Sequence, residues 1–228
     1  MSMTKRAADH VVTPGRRVVV AGMGDSGVLT AIHLARRTDV VGISVRPALV
    51  SGQELGLRVA FPDEWARDYR VDFDRFRRLD RVDIRHGQIC ALDPDRKVIR
   101  LRTPTGQMGS LAYDALVIAT GVANGFWRRP VLEGISDVDD ALHDVHARLA
   151  QARSIAVVGG GAAAVSSAAQ LSRRWPDKAV ALYHPGVLPL PRHHDRTRQQ
   201  VARRLAALGV DRHGQHRALP GAGRPVVA

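Results

Sequence analysis

Short apolar runs punctuate this chain, and two stretches set them out in the same order. Residues Arg17 to Val45 read as an apolar strand (VVVAG), a glycine-rich turn (GMGDSG), an amphipathic helix (VLTAIHLARR) and a second apolar strand (VVGISV). Residues Ser154 to His184 repeat that layout with IAVVG, GGGAAA, VSSAAQLSRRW and KAVALYH. Each half is a strand, a tight turn, a helix of about three turns and a parallel strand, within the ~30 residues that a βαβ unit needs. An internal repeat of this kind predicts two nucleotide sites in one chain.

Between the repeats, GQICALDPDRKVIRLRTPTGQMGSLAYDALVIATG reads as short β-rich stretches with turn signals at DPD and TPTG, closing in a buried strand, ALVIATG. VDDALHDVHARLAQA then reads as a helical linker. The end of the chain, DRHGQHRALPGAGRPVVA, is rich in Gly, Pro, Arg and His and has no clear apolar period.

Composition bounds the picture. With 228 residues and 45% hydrophobic side chains, the chain can bury one large core or two small ones. No run of eighteen or more apolar residues occurs, and the polar, basic opening lacks the apolar stretch of a secretory signal, so a cytoplasmic location is expected. Cys90 is the one cysteine. It excludes an intrachain disulfide, a dithiol pair and a cysteine-based metal site, and its setting, ICAL, predicts a buried small hydrophobe. Any electron transfer must therefore use a bound cofactor.

The formal charge of +12 invites a nucleic-acid reading. The basic residues, nearly all Arg, are instead scattered through every segment, with no zinc-finger spacing and no RNA-recognition aromatic motif. No specific nucleic-acid partner is expected; a basic interaction protein that uses the fold as scaffold stays as one alternative. His184, His193, His194, His213 and His216 crowd the last quarter without any metal-ligand spacing, and solvated surface histidines are the expectation.

The turns carry the chemistry. Gly22 permits a sharp exit from the strand, Gly24 lets the backbone approach a pyrophosphate, and Gly27 lets the helix pack on the strand. The pyrophosphate then meets the free N–H groups and positive dipole end of the helix, where Ser26 also lies. In the second unit Gly159 and Gly161 hold the first two places and Ala164 the third, where a small side chain still allows packing. An ordinary glycine-rich turn is the competing account, and a βαβ unit without a ligand competes at the second.

These features together resemble the two-dinucleotide-domain flavoproteins among the pyridine nucleotide oxidoreductases, particularly the branch of type II NADH dehydrogenases and apoptosis-inducing-factor-like proteins. The matching residues are the first glycine-rich unit, the ALDPDRKVI segment, Tyr113 and Asp114 leading into Leu116 to Gly121, and the second glycine-rich unit after a helical linker. The resemblance covers roughly Arg17 to Gly209. It implies an α/β chain: a Rossmann-like FAD-binding domain with a β-meander, followed by a truncated second Rossmann-like NAD(P)-binding domain. The expected organisation is a flexible N-terminus over 1–15, the first part of the FAD-binding domain over 16–135, a helical linker over 136–152, a partial NAD(P)-binding domain over 153–208 and an irregular tail over 209–228.

The resemblance also implies site residues. Gly22, Gly24 and Gly27 bind the FAD pyrophosphate; Ala119, Thr120 and Gly121 form a turn close to the flavin nucleotide; the backbone of Ile89 touches the adenine; Gly159, Gly161 and Ala164 bind the pyrophosphate of NADH or NADPH. Where the family places an acid at the tip of the second strand, this chain has Ser44, followed by Arg46, in the first unit and His184 in the second. The missing carboxylate at the second tip leans toward NADPH. Ser166 stands where the family commonly carries a glutamate near the nicotinamide. The family's returning strand, which ends in Gly-Asp, is not found, so the chain is expected to be a prematurely ended form with an exposed apolar sheet edge and marginal stability. The expected activity is hydride transfer from NAD(P)H to flavin and on to a non-disulfide acceptor, such as a quinone, a small iron–sulfur protein or oxygen. A catalytically impaired nucleotide-binding fragment is the other alternative.

Overall fold

The computed structural model describes residues 16–52, 55–122 and 131–217. The expectations for 1–15 and for the tail beyond 217 lie outside them. The chain opens with β1 (Arg17–Ala21), α1 (Asp25–Leu34), β2 (Asp39–Ser44), β3 (Ala48–Val50), α2 (Leu55–Ala60), α3 (Pro62–Tyr69) and β4 (Arg70–Asp72). Two short 3-10 turns lead to β5 (Val82–His86), β6 (Gln88–Asp93), β7 (Val98–Arg102), β8 (Met108–Ala112) and β9 (Ala115–Ile118). Then follow α4 (Ile135–Gln151), β10 (Ser154–Val158), α5 (Ala162–Arg174), β11 (Ala179–His184), α6 (Asp195–Ala207) and β12 (Val210–Gly214).

Two compact units result. The first takes the described residues up to Leu49 and those from Asp72 to Val122. Its parallel sheet has the order β5-β2-β1-β9. After their first residues, β1 and β2 are buried throughout, because both faces of the sheet are covered, as a parallel sheet requires. Val28 and Ala31 of α1 pack with Val20, Val40, Phe73 and Val82 on one face. On the other, Val19, Val41 and Ile43 meet Ile99, Leu101 and Leu111 from the meander β6–β7–β8. The turns foreseen at DPD and TPTG are the two corners of that meander: Arg96 N–H donates to Asp93 Oδ1 at 2.9 Å, and Gly106 takes φ +83° at the second. β9 lies at the sheet edge, with Ile118 69% exposed.

The second unit is built on the parallel sheet β10-β11-β12. Ala168 and Leu171 of α5 and Leu205 of α6 pack with Ile155, Val180, Leu182 and Val210. This unit also takes Val50–Val71, which breaks the continuous first domain expected over 16–135. The reason is a close helix crossing. A Cβ at Gly56 of α2 would lie 2.4 Å from the carbonyl oxygen of Ser166 in α5, so only glycine lets the two backbones approach this closely. Ala60 then enters the α5 core, and Trp65 of α3 buries against Val138 and Leu142 of α4. Arg58 is 1% exposed; its guanidinium lies 4.7 Å from the Trp65 ring centre and Nη2 donates to the Ser51 carbonyl at 3.1 Å. The expected linker helix is α4.

Two further expectations are corrected. The tail called irregular from 209 begins with β12, which pairs in parallel with β11 from Val210 to Gly214. Backbone pairing to a strand already in place holds it, although Val210 alone of the five is buried. Cys90 is exposed rather than buried, because the β6–β7 register shifts between Ile89 and Ala91 and turns the intervening side chain outward.

Gly56→Ala is expected to lower stability by about 1–3 kcal/mol, since the overpacking cost outweighs the helix-propensity gain of under about 1 kcal/mol. Thermal unfolding of the variant checks this; an unchanged midpoint contradicts the crossing.

His143 of α4 offers a second test. Its Nδ1 faces the Asp139 carbonyl at 2.8 Å and its Nε2 faces Asp63 Oδ1 at 2.9 Å, so both partners are acceptors and favour the protonated ring. The Asp139 carbonyl first, and then the Asp63 carboxylate, raise its pKa above the ordinary value, against a smaller opposing effect of burial. A raised folded value means that this contact stabilises fully below the unfolded pKa of about 6.5 and fades as the pH rises through the folded value. NMR titration should find the His143 pKa above the ordinary histidine value, and Asp63→Asn should lower it.

Candidate functional site

The first turn follows β1. Gly22 has φ +98°, and a Cβ there would lie 2.4 Å from the Ala119 carbonyl oxygen and 2.8 Å from Thr120 Cα. The Ala119–Gly121 segment thus lies directly against the turn, held by an Ala119 N–H bond to the Ala21 carbonyl at 2.8 Å. Gly27 is tighter still: its Cβ would fall 1.8 Å from the Gly22 carbonyl oxygen, so α1 sits on the strand by backbone contact. Gly24 is different. Nothing lies within 4 Å of its Cβ position, and as N-cap it brings no side-chain cap to the first turn of α1. Ser26 is exposed in that first turn, beside Asp25. Since β2 and β9 flank β1 on opposite sides, the turn opens at the carboxyl-end crevice where the sheet changes direction.

At the tip of β2, Ser44 is 6% exposed and its Oγ accepts the Arg46 N–H at 3.2 Å. The hydroxyl therefore shapes its own turn, and Arg46 follows half-buried. His86, paired with Ser44 across β5, reaches the Val45 carbonyl with Nε2 at 3.1 Å. Nothing in the sequence pointed to His86, because its place depends on β5 joining β2. Ile89 is half-buried, paired with Leu101, and its side chain packs in the meander core. Asp114 fixes the starts of β1 and β9 together: its Oδ2 accepts the Arg17 N–H at 2.8 Å.

The second turn repeats the plan with one adjustment. Gly159 has φ +136°, and its Cβ would stand 3.2 Å from Ala164 Cβ. Where Gly27 brings backbone to backbone, Ala164 places a methyl against the turn. Gly161 is the open N-cap, with nothing within 4 Å, no side-chain cap and no acidic residue in the first turn of α5. This N-terminus is the more electropositive of the two for an anion. Ser166 stands where α2 crosses α5, meeting Gly56 through its backbone carbonyl, and is itself half-buried.

His184 overturns the expectation of a surface histidine. It is fully buried, with its Cβ 3.2 Å from the Cβ position of Gly160 and its Cε1 3.3 Å from that of Gly214. Neither ring nitrogen has a hydrogen-bond partner of good geometry among the described residues. Burial first, and then the Arg212 charge, lower its pKa against a smaller opposing effect of the Gly186 backbone, and so favour the neutral ring. Beside it on β11 and β12, Tyr183 and His213 stack with ring centres 4.5 Å apart, and His213 Nε2 meets Asp211 Oδ2 at 2.8 Å. Among the described residues no group of side chains has the makings of a metal site, and no helix is long and apolar enough to cross a membrane.

Residues 13–220 match the family model described as pyridine nucleotide-disulphide oxidoreductase. Ferroptosis suppressor protein 1 of Taeniopygia guttata is 30% identical over 176 residues, 74% of this chain and 43% of that protein. An NADH dehydrogenase-like protein of Mycobacterium tuberculosis is 29% identical over 198 residues, 77% of this chain and 46% of that protein. The chain thus spans less than half the length of these relatives. Among solved structures, NDH2 of Plasmodium falciparum in complex with NADH superposes with a TM-score of 0.67 at 14% identity, covering 87% of this chain and 48% of that one. At that identity the likeness is one of fold.

The glycines separate fold from site. Gly27→Ala is expected to abolish cooperative folding, because no side-chain movement relieves a contact with a backbone oxygen. Gly24→Ala should unfold within a few degrees of the parent, the loss of a glycine N-cap costing about 1 kcal/mol or less. Parallel thermal unfolding of the two variants checks the contrast.

Proposed function

This chain belongs to the pyridine nucleotide-disulphide oxidoreductase family, whose members use FAD and NAD(P)H, and from that premise we propose that it is an FAD-dependent NAD(P)H oxidoreductase. The first unit holds FAD and the second the nicotinamide nucleotide. The observation that carries this reading is the doubled turn: Gly24 and Gly161 each N-cap a helix, open at the Cβ position and without a side-chain cap. Bound there, FAD supplies a ring that accepts a hydride and NAD(P)H supplies the hydride.

The chain's own part is to bind and orient. Gly22, Gly24, Ser26 and Gly27 cradle the FAD pyrophosphate, with Ala119, Thr120 and Gly121 as the neighbouring wall. Arg46 lies beside the adenosine end, and the Ile89 backbone meets the adenine. Gly159, Gly161 and Ala164 cradle the pyrophosphate of the nicotinamide nucleotide. Fully buried, His184 neither pairs with ribose hydroxyls nor repels a 2′-phosphate. Both NADH and NADPH are therefore accepted. Because the chain has one cysteine, no dithiol relay operates, and a quinone or another non-disulfide acceptor takes the electrons.

A second reading, nucleotide binding without turnover, draws on Ser166, whose small side chain leaves no carboxylate near the nicotinamide. The visible spectrum separates the two. A yellow protein whose flavin absorption falls on anaerobic addition of NADH or NADPH supports turnover. A colourless protein whose melting temperature rises with nucleotide supports binding alone. A chain that neither takes up FAD nor shifts with any nucleotide refutes both.

Two outcomes follow for the active protein. The kcat/KM values for NADH and NADPH should differ by less than about tenfold, an energy gap below about 1.4 kcal/mol. Cys90→Ser should reduce a soluble quinone analogue at the parent rate, and neither form should reduce oxidised glutathione.

A further inference from the structure

We infer that Arg198, assisted by Arg212, is a positioning residue of the second nucleotide site: the two guanidinium groups hold the loop after β11 against the glycine-rich turn, so a nucleotide meets a loop already ordered. The inference rests on the reading of that unit as the nicotinamide nucleotide site.

The loop runs from Pro185 to His194, at the carboxyl end of β11, where a βαβ unit receives the ribose end of its ligand. Five successive carbonyls in it are tied down. Gly186 accepts the Gln215 N–H at 3.1 Å, Val187 accepts Arg212 Nη1 at 2.9 Å, Leu188 accepts Arg198 Nη2 at 3.2 Å, Pro189 accepts Arg198 Nε at 3.2 Å, and Leu190 accepts the His193 N–H at 3.0 Å. The loop is then joined to the turn itself, since the Leu190 N–H donates to the Gly160 carbonyl at 2.6 Å.

This anchoring holds the loop in a costly conformation. Leu190 has φ +57°, a left-handed value that a leucine rarely adopts, and keeps it with its side chain 6% exposed. Gly214 makes room at the end of β12: a Cβ there would lie 2.9 Å from the Gly186 oxygen and 3.0 Å from the Val187 oxygen. Arg198 suits its task because a planar fork offers Nε and Nη2 in fixed geometry to two adjacent carbonyls, which a lysine cannot match. Asp195, one turn earlier on α6, orients the fork at 2.7 Å, and the Arg198 side chain is 21% exposed. Released, the loop would have to be ordered again whenever nucleotide binds, and that cost appears as weaker affinity.

The test uses the full chain, with NADH and NADPH as probes. Arg198→Ala should speed hydrogen exchange of the Leu190 amide and raise the Kd for both nucleotides about tenfold. Saturating kcat should stay near the parent value. Arg198→Lys should recover part of the affinity, and Arg212→Gln, which releases the Val187 carbonyl alone, should shift Kd in the same direction by less. Arg196→Ala, one turn position away on an exposed face, should leave Kd unchanged. Unaltered Leu190 exchange in both Arg198→Ala and Arg212→Gln overturns the inference, as does an Arg198→Ala Kd within twofold of the parent. A parent that binds neither nucleotide overturns the reading of the site and this inference with it; a parent that binds, matched by a variant that binds equally, overturns this inference alone.

Discussion

The seat of α1 on β1 is a contact between backbones. A side chain at position 27 would begin 1.8 Å from the Gly22 carbonyl oxygen, and one at position 22 would begin 2.4 Å from that of Ala119. With both absent, helix, strand and the Ala119–Gly121 segment share one small volume, and the N-terminus of α1 is brought to the carboxyl end of β1. The sheet depends on the same closeness. Met23 is buried within the turn, and a Cβ on Gly42 of β2 would lie 2.6 Å from its Sδ. A glycine on the neighbouring strand thus makes room for a side chain of the turn.

The two units use this device with different tolerance. In the first, both faces of the central strands are covered, by α1 and by the meander, and there is no room for a methyl at the third place of the turn. In the second, β10 and β11 alternate buried and exposed positions, with Ile155, Val180 and Leu182 packed under the helices while Ser154, Ala156 and Ala179 stay exposed. With one face packed, α5 can stand slightly off the turn, and Ala164 fits there against Gly159.

Much of this was legible in the sequence because it is local. Apolar runs bounded by glycine placed β1, β2, β10 and β11, the turn residues at DPD and TPTG placed the meander corners, and the spacing of Gly22 and Gly27 marked the sharp exit from β1 and the close seat of α1. What escaped was non-local. Val50–Val71 lies inside the first half of the sequence, yet Gly56, Ala60 and Trp65 find their partners on α4 and α5, more than seventy residues away in the chain for each. β12 has little apolar pattern because pairing with β11, rather than burial, makes it a strand. Cys90 and His184 were each misjudged on burial for the same reason: a bulge turns one outward, and a loop folded back over the strand end encloses the other.

The strand tips show how recognition must be divided. A carboxylate at the end of the second strand would grip ribose hydroxyls, and neither unit has one. Ser44 Oγ accepts the Arg46 N–H, and His184 is fully buried beneath the turn, where burial lowers its pKa. On the proposed reading, the phosphate end is left to select a ligand, at the helix N-termini that Gly24 and Gly161 cap without a side chain. They are not equal. The first turn of α1 holds Asp25, which offsets part of the positive end of the helix, while α5 begins with no acid at all and faces a loop held by Arg198 and Arg212. On the proposed reading, affinity at the second unit depends on charge and on a loop set in advance, and at the first on the close fit of Gly22, Gly27 and the Ala119 wall.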